Sequence, residues 1–91
     1  MIVYWRLTRK GQRLILVSDD EDQGETEIGG VRETKRGFDA FAKTFGYEPG
    51  RAQKDISTME EAKAFVESFR PWELYGGSTS LTVDPEVRPE S

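Results

Sequence analysis

Ile2-Val3-Tyr4-Trp5-Arg6-Leu7-Thr8 and, beyond Arg9-Lys10-Gly11-Gln12, Arg13-Leu14-Ile15-Leu16-Val17-Ser18 are the two runs that decide how this chain folds. Both are rich in the branched and aromatic side chains that suit a pleated, half-buried surface, and a short polar link holding a glycine separates them. That pattern predicts an antiparallel hairpin. A Gly11-Gln12 loop places glycine where a type II′ turn needs positive φ; Lys10-Gly11 is the other two-residue choice. Either loop puts Val3, Trp5 and Leu7 on one sheet face with Leu14 and Leu16, because side chains alternate with period two. The opposite face then carries Tyr4, Arg6, Arg13, Ile15 and Val17. A three-residue loop would exchange these partners.

Further along, Phe38, Phe41, Ala42 and Phe45 fall at i, i+3, i+4 and i+7, which predicts a helix from Thr34 or Gly37 to Phe45, closed by Gly46. A second helix has a sharper start. Ser57 with Glu60, or Thr58 with Glu61 one residue on, forms a capping box; Met59, Ala62, Phe65, Val66 and Phe69 line one side, and Pro71 ends it. Residues 26–31 read as a short third strand broken by Gly29-Gly30, and 72–75 with 80–83 as a returning strand or second hairpin. The expected fold is therefore α+β: an antiparallel sheet of three to four strands that opens with an N-terminal hairpin, two helices packed on one face, in the order ββ(β)ααβ. Residues 1–84 make a single domain in this reading, and 85–91 a flexible tail.

Composition narrows the chemistry. With 91 residues there is material for one core, and an aromatic content of 11% argues that the chain folds. There are no cysteines and no histidines, so disulfides, thiolate or imidazole metal ligation and imidazole base catalysis are excluded. The longest apolar run, Leu14-Ile15-Leu16-Val17, is far below the roughly 20 residues that cross a bilayer, and residues 1–7 enter a strand pattern without a secretion signal. A cytoplasmic location is expected. The net charge of −4 is distributed in blocks of alternating sign: +4 over residues 1–18, −6 over 19–27, +3 over 28–54 and −5 over 55–91.

If helices cover one sheet face, Tyr4, Ile15 and Val17 lie open on the other beside Arg6 and Arg13. A charge-rimmed apolar patch of that kind marks a binding surface. The leading expectation is a small non-enzymatic protein-interaction or regulatory accessory domain that binds a partner, or a second copy of itself, through Tyr4, Arg6, Arg13, Ile15 and Val17. The competing expectation is a single-stranded nucleic-acid binder that uses Tyr4, Trp5, Arg6, Arg9, Lys10 and Arg13 as stacking rings and phosphate ligands. Overall acidity counts against it. The acids of 19–27 do not match a calcium-loop spacing, and no phosphate-cradling loop or nucleophile elbow occurs, so neither a metal, a cofactor nor an enzymatic activity is expected.

Overall fold

A computed structural model describes residues 1–18, 24–45, 49–76 and 80–89. The fold is α+β, built on a five-stranded antiparallel sheet in which every strand neighbours the next in sequence: β1 (Ile2–Thr8), β2 (Gly11–Val17), β3 (Glu25–Thr34), β4 (Gly37–Ala42) and β5 (Ala52–Ile56). One α-helix follows, α1 (Met59–Ser68), and a 3-10 helix over Pro71–Tyr75. Among the described residues the sheet thus has five strands where three or four were expected, and there is one α-helix where two were expected.

The opening hairpin forms as expected, but its register differs. Thr8 pairs with Gly11, so the loop is Arg9-Lys10 and not Gly11-Gln12. Gly11 is needed inside the strand: a Cβ there would lie 1.9 Å from the Val31 carbonyl oxygen of β3. Both loops have two residues, so the face assignment survives. Trp5 pairs with Leu14 and Val3 with Leu16 toward the core, while Tyr4 pairs with Ile15 and Arg6 with Arg13 on the other side.

The expected helix at 34–45 is instead strand β4, joined to β3 by the two-residue turn Lys35-Arg36. Its apolar residues fit both periods, since Phe38, Ala40 and Ala42 also alternate. The ten-residue β3 has backbone donors and acceptors on both sides, and pairing with β4 satisfies the outer row. β5 offered no apolar alternation to read, with only Ile56 buried among its five residues. β3 itself extends well past the expected 26–31 and carries a bulge at Ile28, between the pairs Leu14 to Gly29 and Ile15 to Glu27.

Helix α1 starts at Thr58, whose hydroxyl accepts the Glu61 N–H at 3.1 Å, the second of the two capping pairs read from sequence. It lies across β3, β4 and β5. Ala62 and Val66 meet Val3, Trp5, Leu14, Leu16, Ile28 and Val31 in one core, which Trp72 joins from the 3-10 helix. Residues 72–75 are therefore helical rather than extended. Of the segment after Leu81, residues 82–89 are described: Val83 and Arg88 bridge in parallel to Val3 and Arg6, Asp84 N–H donates to Val3 O at 2.8 Å, and Arg88 exchanges backbone bonds with Trp5 O at 2.9 Å and Leu7 N at 2.8 Å. This strap pairs with the outer edge of β1. No helix of the described residues is long and apolar enough to cross a membrane.

Candidate functional site

The sheet face away from α1 is the place to look for function, because no helix of the described residues covers it. Along β1 and β2 it does not present the apolar patch expected from sequence. Tyr4 is 2% exposed and Ile15 5%, whereas Val17 is half-buried. Charged side chains close over them. The Tyr4 hydroxyl donates to Glu25, Arg6 donates to both, and the Arg88 guanidinium of the strap sits 4.2 Å from the Tyr4 ring centre. Burial and the bond to Glu25 push the Tyr4 phenol above its ordinary pKa, and the same bond, with Arg6 and Arg88 nearby, holds the Glu25 carboxyl below its own. Arg13 pairs with Glu27, and Lys43 reaches the same carboxylate at 3.9 Å. Trp5, expected to offer its ring for stacking, lies in the core on the opposite face.

The bonding changes toward the end of the sheet that holds the β1–β2 and β3–β4 turns. An antiparallel meander places alternate turns at the same end, so Arg9 and Lys10 of the first and Lys35 of the third come together there. Arg32 on β3 stands between them, paired across the sheet with Gly11 and with Asp39. Two adjoining hollows of about 470 and 520 Å³ open at this point, and both are walled by Arg9, Lys10 and Arg32. The first adds Lys35 with Glu33 and Asp39; the second adds Arg13 and the ring of Phe41. Taken together, five cations face two carboxylates. Of the five, Arg9, Lys10, Arg32 and Lys35 make no ion pair among the described residues, in contrast to Arg6, Arg13 and Lys43. Of the two carboxylates, Asp39 also accepts the Asp55 N–H at 3.2 Å.

Phe41 was not legible as a site residue. Read as part of a helical stripe it belongs to the core, but in β4 it projects to the other face, half-buried opposite Gly30, where no side chain stands between its ring and the strand. Arg32 and Lys35 enter the sequence reading only through the +3 charge of residues 28–54, and only the pairing of β3 with both neighbours places them beside Arg9 and Lys10. Residues 19–23 of the acidic run lie outside the described residues, and no cluster of three or more potential metal-ligating side chains occurs among those described. No family model, curated protein or solved structure matches the chain.

Proposed function

We propose that this chain is a non-enzymatic binding domain, acting in the cytoplasm, whose working surface is the basic turn end of the open sheet face and whose partner is anionic. The reading keeps the sheet face as the dock but moves it from Tyr4, Ile15 and Val17 to Arg9, Lys10, Arg32 and Lys35. One observation carries it: Arg9, Lys10 and Arg32 line both hollows and Lys35 the first, these four outnumber the two carboxylates there, and none of them makes an ion pair among the described residues, whereas Arg6, Arg13 and Lys43 do. Like charges held together cost free energy in the free protein, and an anion laid between them recovers it. Overall acidity does not oppose this, because beyond about 10 Å salt screens distant charges and the local field decides the encounter.

Fluorescence anisotropy with labelled polyanions, poly-glutamate and heparin fragments, tests the assignment against a Lys10→Glu, Arg32→Glu variant. Binding at low salt that the variant loses is the expected result. Failure of the native protein to bind any polyanion, or equal binding by the variant, refutes it. A solution mass twice that of the monomer, undiminished in the variant, would instead favour self-association through another surface.

A further inference from the structure

We infer that the anionic partner of the basic hollows is single-stranded nucleic acid, its backbone phosphates held by Arg9, Lys10 and Arg32 and a base stacked on Phe41. The inference rests on the reading of the site as an anion dock and names its occupant. Three features separate nucleic acid from an acidic peptide. The first is Phe41, an aromatic ring that takes no part in the hydrophobic core and lines the second hollow among Arg9, Lys10, Arg13 and Arg32. A flat ring among cations matches a nucleobase with its flanking phosphates, whereas an acidic side chain gains nothing from it. The second is the sheet backbone beneath, which is committed to its own ladder from β1 to β4. Extended peptides gain most of their affinity by adding a strand at an unpaired edge, and this face offers none. The third is continuity: two hollows share one wall of three cations, which suits a polymer that repeats charge and ring along its length.

The experiment is an anisotropy titration of labelled oligothymidylate, a DNA hairpin duplex and poly-glutamate of equal charge at two salt concentrations. The proteins compared are the native chain, Phe41→Leu, Phe41→Tyr and Arg32→Gln. Contact with three or four phosphates predicts a slope of log affinity against log salt of about −2 to −3 for oligothymidylate. Phe41→Leu weakens it about 5- to 100-fold with the slope unchanged, Phe41→Tyr retains it, and Arg32→Gln flattens the slope by roughly one phosphate. Poly-glutamate is expected to bind more weakly and to be indifferent to Phe41. Equal affinity for the two polymers, equal or tighter binding of the duplex, or an oligothymidylate affinity unmoved in a folded Phe41→Leu protein overturns the inference and leaves the anion dock standing. Loss of binding in Phe41→Tyr as well as Phe41→Leu also overturns it, because the ring would then act only through packing. Absence of binding to every polyanion removes both.

Discussion

Replacing Gly29 by alanine probes how closely α1 is laid on the sheet. A Cβ at Gly29 would stand 2.7 Å from Val66 Cγ1 and 2.9 Å from the Phe41 carbonyl oxygen, one contact with a buried helix side chain and one with backbone. Val66 is fully buried and cannot swing into solvent. The helix must lift or the β3–β4 ladder must spread, and overpacking of that kind costs about 1–3 kcal/mol. In a domain of this size the cost corresponds to a fall in Tm of about 5–20 °C. Thermal melts followed by circular dichroism read it directly. A cycle with Val66→Ala apportions the cause: that change alone costs about 2 kcal/mol in lost burial and cavity. The double variant should be about 1 kcal/mol more stable than the sum of the two, since the shortened side chain relieves one of the two clashes. Gly29→Ala with an unaltered Tm, or strictly additive effects, would refute the close approach of helix and sheet.

Other expectations follow from single bonds. Thr58→Ala removes the acceptor for the Glu61 N–H and should lower stability by about 1 kcal/mol, measured by urea denaturation, while Thr58→Ser should restore most of it. Glu25 titrates below its unfolded value, so its contribution is complete above the usual carboxylate range and is lost as pH falls through the folded pKa; the urea midpoint should drop more steeply below about pH 4 in the native protein than in Glu25→Gln. Tyr4 titrates above its unfolded value, so its contribution holds up to about pH 10 and is lost as pH rises through the folded pKa. Ultraviolet titration of the folded protein should show a late tyrosine component that Tyr4→Phe abolishes; an unchanged titration curve in that variant would contradict the hydrogen-bonded Tyr4 hydroxyl.

The parts of this fold that are written locally were the parts legible in sequence. The hairpin shows in two dense apolar runs, and its face assignment survived a wrong loop because parity is all that faces require. The start and stop of α1 are set by Thr58 and Pro71, whose effects need no distant partner. By contrast, the helical spacing of Phe38, Phe41, Ala42 and Phe45 competes with the alternation of Phe38, Ala40 and Ala42, and the unpaired side of β3 chose between them. β5 was invisible because only Ile56 turns inward, and an edge strand without alternation resembles a loop. The site suffered most from that error. Arg9 and Lys10 were singled out with the hairpin, but Arg32, Lys35 and Phe41 join them only once β3 and β4 are strands in register.

The strap along β1 imposes an order on biosynthesis. β1 and β2 leave the ribosome before the strap and can pair at once, since chains emerge from the N-terminus and hairpins close far faster than residues are added. The outer row of β1 carbonyls and amides must nevertheless wait until residues 83–88 have been made. Until those residues emerge the nascent sheet carries an unguarded border that a neighbouring nascent chain can seize. Mutations that loosen Val83 or Arg88 should therefore reveal themselves first as poor yield during rapid expression, before any deficit appears in the purified protein.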